Sequence, residues 1–160
     1  MGLEKILLLG NPELYKKSSP VLKEEIPPLL PAIEELFELI VEFRQKYGAG
    51  RAIAAPQTGL MKRIICVNID KPVAMINPFL SGLSPEMFEV WDDCMCFPNL
   101  FVKVSRHKSC KLEFCNLNWE KQTWSLEGGL SELIQHEYDH LNGILAVQRA
   151  IDDRSFRWRI

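Results

Sequence analysis

The 160-residue sequence contains no long apolar run near its start: Ile6-Leu7-Leu8-Leu9 is four residues, against the roughly 7 or more of a signal-peptide core and the roughly 20 of a membrane span. Met1-Gly2 also fails the myristoylation pattern, which needs Ser or Thr where this chain has Ile6. A cytoplasmic protein with no membrane partner is the expectation. The chain lacks an excess of either charge, with 19 basic and 21 acidic residues for a net charge of -2. That leaves no electropositive footprint for a phosphate backbone, and nucleic acid is not an expected partner. There is no fixed-period repeat or low-complexity tract, and Pro27-Pro28 with Pro31 is too short for a linker. Residues 1–160 therefore read as a single domain, and oligomeric state has no signal. Five cysteines, Cys66, Cys94, Cys96, Cys110 and Cys115, are an odd number in a chain without a secretion signal. Reduced thiols or metal ligands are expected, not a disulfide framework.

From Pro31 to about Tyr47, Ile33, Leu36, Phe37, Ile40 and Val41 recur at helical spacing, with Pro31 suited to a first turn and Gly48 to the stop. Arg63 to Ile69 is rich in Ile and Val, and Cys110, Leu112 and Phe114 alternate with Lys111, Glu113 and Cys115. Asn116 to Lys121 reads as a hairpin turn returning through Thr123 to Leu126. After Gly128-Gly129 the period becomes helical, with Leu130, Leu133, Ile134, Tyr138 and Leu141 running to a stop at Asn142-Gly143. This order predicts an α+β domain, with antiparallel strands packed around a late metal-binding helix and an N-terminal helix before them.

The late helix contains His136-Glu137-Tyr138-Asp139-His140. Two imidazoles four residues apart stand one turn apart on one face and can share a metal. A carboxylate on the same edge is placed to take a proton from water that the metal acidifies and return it to a leaving group. The plain alternative is two helix histidines with a solvated glutamate. The third ligand decides the class. Zinc peptidases of the metzincin pattern find it six residues downstream, where this chain has Ala146; beyond His140 there is no Glu or His, and a peptidase would have to use Asp152 or Asp153. Upstream, Asp92-Asp93-Cys94-Met95-Cys96-Phe97-Pro98 offers two thiols in a segment that reads as extended. A thiolate with two imidazoles makes a three-ligand site with a position open for water. With Cys96 as well as Cys94, the set could instead close into a non-catalytic Cys2His2 site.

Three segments together resemble the peptide deformylase family. Gly50-Arg51-Ala52-Ile53-Ala54-Ala55-Pro56-Gln57 is similar to its motif G-x-G-[LI]-A-[AS]-x-Q, and Asp92-Asp93-Cys94-Met95-Cys96 to E-G-C-L-S. His136 to His140 matches H-E-x-D-H without departure, and Gly10 to Leu14 and Gln135 also fit. The resemblance implies that Cys94, His136 and His140 bind one divalent ion, Fe(II) in many members and Zn(II) in others. It implies Glu137 as general acid/base, and Gln57 with the backbone N–H of Met95 as donors to the oxyanion. The implied reaction removes the formyl group from N-formyl-methionyl polypeptides. Gly50, Ala52 and Asp93 fall where the substrate backbone would lie. Arg106 and Asp139 match a pair behind the ligands.

Four departures surround this set. Asp93 and Ala52 stand where the family has glycines, Asp92 replaces its Glu and Cys96 its Ser. A carboxylate at Asp93 is expected to repel acidic substrates and obstruct the peptide. Phe88, Trp91, Met95, Phe97 and Phe101 are the candidates for lining a methionine-sized pocket.

Overall fold

The first helix starts earlier than the sequence pattern suggests. In the computed structural model, which describes residues 2–160, α1 spans Ile26–Tyr47. Pro27 and Pro28 occupy its first turn, where a missing N–H costs nothing, and Pro31 lies inside the helix, forfeiting one bond near its beginning. Ile33, Leu36, Leu39, Ile40 and Phe43 are buried, whereas Val41 is exposed, off the apolar stripe. Gly48 ends the helix as expected, at φ 71°, donating its N–H to the Arg44 carbonyl at 2.8 Å.

Eight strands follow: β1 (Ala52–Ala54), β2 (Ile64–Asn68), β3 (Pro72–Ser81), β4 (Met87–Asp92), β5 (Leu100–His107), β6 (Ser109–Cys115), β7 (Lys121–Glu127) and β8 (Phe156–Trp158). The second helix, α2, spans Gly129–Leu141 between β7 and β8. The strands form two sheets, ordered β1-β2-β3-β6-β7 and β4-β5-β8, with every neighbouring pair antiparallel. The expected α+β order holds. In β6 the buried Cys110, Leu112 and Phe114 alternate with more exposed neighbours, and the Asn116 side chain accepts the N–H groups of Asn118 and Glu120 to shape the following turn.

The run Ile64-Ile65-Cys66-Val67 in β2 is buried throughout because both faces of its sheet are covered. Ile64 and Cys66 join the core with the apolar stripe of α1, while Ile65 and Val67 join Leu133, Ile134 and Leu141 of α2. Helix α2 also packs on β5, so it touches both sheets. Its C-terminal end is anchored: the Leu141 carbonyl accepts from the Ser18 N–H and Oγ and from Arg63 Nη1. Gly143, at φ 73°, passes so close to the Tyr15 backbone that a Cβ would stand 2.3 Å from its carbonyl oxygen. These contacts hold the last turn of α2, and His140 with it.

Candidate active site

Helix α2 carries His136 and His140 on one face, with ring centroids 5.0 Å apart. The loop after β4 brings Cys94 to them. The thiol sulfur lies 3.3 Å from His140 Nε2, and one donor atom from each of Cys94, His136 and His140 lies within 4.8 Å of the others, all three residues being buried. This segment is a turn and not the extended stretch its sequence suggests: the Phe97 N–H bonds the Cys94 carbonyl at 3.1 Å. Cys96, two residues on in the same turn, is not among the three residues whose donor atoms cluster. Its sulfur instead accepts from Gln57 Nε2 at 3.4 Å. Asp152 and Asp153 are exposed and also lie outside the cluster.

The ligand-like groups are braced from behind. His136 Nδ1 donates to Asp92 Oδ2 at 2.8 Å, since a carboxylate can only accept, and this commits Nδ1 to the carboxylate behind the ring. Arg106 donates to Asp92 at 3.0 Å and to Asp139 at 2.8 Å, and Arg149 makes a two-point contact with Asp139. Burial alone would lift Asp92, but the charge and hydrogen bond of His136, with Arg106, hold it down at about 2. Burial would lower His136, but Asp92 overrides this and raises it to about 9. Burial, then the charge on His136, drives His140 down and keeps it neutral. Burial also pushes up the Cys94 thiol. A buried thiol beside a neutral imidazole and a second imidazole with a committed back nitrogen is a donor set that suits a borderline-soft divalent cation.

Glu137 completes the cluster. It is buried, its Oε1 has no hydrogen-bond partner among the described residues, and burial raises its carboxyl to about 7. Gln57, buried in the short helical turn after β1, accepts the Ala54 N–H at 2.8 Å and points its amide NH2 at the Cys94 and Cys96 sulfurs. A cavity of about 380 Å³ opens onto Gln57, Cys94, His136 and Glu137, and Gly50, Ala52, Asp93 and Met95 also line it. Its apolar wall is Phe43, Ile69, Met95 and Leu133. Of the five residues expected around the pocket, Met95 alone lines it: Phe97 is in the core, Phe88 lies under Lys108, and Trp91 and Phe101 lie under Arg157 on the three-stranded sheet.

The model of the polypeptide deformylase family matches residues 3–155. The chain belongs to the peptide deformylase family. It is 34% identical over 146 residues to the peptide deformylase of Thermotoga maritima, covering 91% of this chain and 85% of that protein. It is 31% identical over 151 residues to that of Desulfitobacterium hafniense, covering 94% of this chain and 96% of the relative. The crystal structure of the Thermotoga maritima enzyme superposes with a TM-score of 0.84, covering 92% of this chain and 97% of that one. A Synechococcus elongatus peptide deformylase crystallised with actinonin gives 0.85 at 26% identity, over 92% of this chain and 79% of that one.

Sequence reasoning missed three features of this deformylase-family site. Asp92 is the partner of His136, for which its position two residues before Cys94 was a usable signal. Arg149 shares Asp139 with Arg106, ten residues along and beyond helical reach. Asp93 does not face the cavity as a bare charge, because its carboxylate is taken up by Arg159 next to β8, 66 residues away.

Proposed function

We propose that the chain acts as one domain that hydrolyses the N-terminal formyl group of formyl-methionyl polypeptides, in the cytoplasm, with no nucleic acid or membrane needed. Members of this family are metallohydrolases, and Cys94, His136 and His140 are the residues we assign to a single divalent ion, Fe(II) or Zn(II). When bound, that ion supplies Lewis acidity, acidifying water and polarising the formyl carbonyl.

The protein's own groups then divide the work. Glu137 takes the proton of the attacking water and passes it to the amide nitrogen as the formyl C–N bond breaks, giving formate and a free amine. A carboxyl raised to about 7 by burial suits both halves of that transfer near neutral pH. The Gln57 amide, fixed through its Ala54 contact, and the Met95 N–H meet the negative charge that develops on the formyl oxygen. Asp92 orients His136, and Arg106 with Asp139 holds Asp92 in place. The methionine side chain takes the apolar wall of Phe43, Met95 and Leu133, and the peptide runs past Gly50 and Ala52, where β1 is the edge strand of its sheet.

The observation that carries this reading is the convergence of Cys94, His136 and His140 beside a buried Glu137, whose Oε1 has no partner among the described residues, at one cavity. The test is formate release from a formyl-Met peptide by protein loaded anaerobically with Fe(II) and, separately, with Zn(II). Release with either ion supports it; none with both, from protein shown to hold one ion, overturns it.

A further inference from the structure

The charged side chains lining the cavity are Arg44, Arg51, Asp92, Asp93, His136 and Glu137. Nearly all have counter-charges. Asp92 lies between His136 and Arg106, Asp93 pairs with Arg159, and Arg51 donates to Glu132 at 2.8 Å. Glu137 is buried. Arg44 differs. Its Nε donates to the Gly50 carbonyl at 2.9 Å and its Nη2 to the Asn68 carbonyl, and among the described residues no carboxylate pairs with it. Carbonyl oxygens fix a guanidinium without cancelling its charge, and the remaining Nη1 has no protein partner among the described residues. Arg51, on the same wall, has its side chain 46% exposed and spends one nitrogen on Glu132.

We infer that the mouth of the cavity selects formyl-methionyl peptides with an acidic side chain soon after the methionine, and that Arg44 is the residue that determines this preference, with Arg51 beside it. This rests on the deformylase reading and adds a substrate class to it. Held at two points, Arg44 is pre-organised to present a fork to a carboxylate, so little side-chain entropy is lost when one binds. Asp93 does not oppose it, because Arg159 already satisfies that carboxylate. The inference reverses the expectation drawn from Asp93 in the sequence alone.

The experiment measures kcat/KM for formyl-Met-Asp-Ala, formyl-Met-Ala-Ala and formyl-Met-Lys-Ala with wild type, Arg44→Lys and Arg44→Gln, at about 0.02 and about 0.5 M salt. For an exposed pair the wild type should favour Asp over Ala by about three- to five-fold at low salt. That ratio should shrink at high salt, where charges are screened within a few ångströms. Arg44→Gln should bring the Asp-to-Ala ratio to about one, and Arg44→Lys should keep part of it. A merely structural effect of Arg44 on the Gly48-Ala49-Gly50 turn would lower all three peptides together and leave the ratio intact, which overturns the inference. Calorimetric binding of the product peptides Met-Asp-Ala, Met-Ala-Ala and Met-Lys-Ala reads the same preference without turnover. Equal formate release and equal binding for all three refutes charge selection while leaving the deformylase reading standing. Absence of formate from every peptide refutes that reading itself.

Discussion

The Asp93–Arg159 pair sets two arguments against each other. From sequence, Asp93 is an obstacle at a glycine position, and Asp93→Gly should help substrates, acidic ones most. In the structure Arg159 clasps the loop that carries Cys94: its guanidinium pairs with Asp93, its Nε donates to the Pro98 carbonyl at 2.8 Å, its backbone N–H to the Asn99 carbonyl at 2.7 Å, and it stacks 4.5 Å over Phe101. With side chains 35% and 21% exposed, the ion pair contributes about 0.2–1 kcal/mol. A glycine in that loop adds about 0.4–1 kcal/mol of chain entropy to the unfolded state. Asp93→Gly should thus destabilise by about 1–2 kcal/mol, or about 3–6 °C in Tm for a chain of this length. Arg159→Ala, losing the bond to Pro98 and the stacking as well, should cost about 2 kcal/mol. Because Asp93 adjoins Cys94, both changes should speed metal loss to a chelator and lower kcat/KM. Urea melts of the two single variants and the double variant give the coupling, expected at about 0.5–1 kcal/mol. A coupling of zero, with Asp93→Gly as stable as wild type and more active on every peptide, would refute the clasp and restore the obstacle.

Glu137→Gln should retain the ion while formate release falls by about 10²–10⁴-fold, read by metal analysis beside turnover; unaltered release would remove Glu137 from the proton transfer. Cys94→Ser should lose most of its metal on dialysis whereas Cys96→Ser keeps it, because only Cys94 stands in the cluster with both histidines. The opposite pattern would reassign the ligand. In metal-free protein the Asp92–His136 pair predicts stability that depends on pH at both ends. Asp92, held at about 2 in the fold, contributes stability present above its ordinary value near 4 and lost as pH falls from about 4 to 2. His136, raised to about 9, contributes stability present below about 6.5 and lost as pH rises from there through 9. The acid limb is worth about 2 kcal/mol and the alkaline limb about 3 kcal/mol, and metal-loaded protein should lose the alkaline one because a ligating imidazole is already neutral. Urea midpoints from pH 2 to 10, with and without chelator, test this; a flat profile without metal would sink it.

The parts of this site that could be read from sequence are those that a single element encodes. His136, Glu137 and His140 sit within two turns of one helix, so spacing alone sets the two histidines on one face with Glu137 at its flank. The alternation in β6 and the hairpin after it are legible for the same reason. Cys94 needed the family resemblance, because nothing local distinguishes it from Cys96; both are buried, and only Cys94 joins the two histidines in the cluster. The start of α1 was misread because Pro31 looks like a first-turn proline, while Pro27 and Pro28 fill that place and the helix tolerates the third. The apolar wall was not legible at all. Phe43 comes from α1, Ile69 follows β2, and Leu133 lies on α2. Long-range packing joins them, and nearby aromatics such as Trp91 and Phe101 serve instead as platforms for Arg157.

The departures from the family motifs fall into a pattern once partners are assigned. Asp92, shorter than the glutamate it replaces, still reaches His136 because Arg106 draws it inward with Asp139 and Arg149 behind. Asp93 adds a charge that Arg159 takes up. Cys96 in place of serine still meets Gln57, as a sulfur acceptor at 3.4 Å. Ala52 puts a methyl on β1, yet it is buried with Val67 and Leu133, on the side of its sheet that faces α2. Each change thus has a compensating contact within this chain, and in three of the four that contact is a hydrogen bond or ion pair aimed at the loop or helix that carries the cluster. Among the described residues Arg44 is then the charge on the cavity wall that no carboxylate balances, so the relative kcat/KM for acidic, neutral and basic peptides is the quantity most sensitive to it.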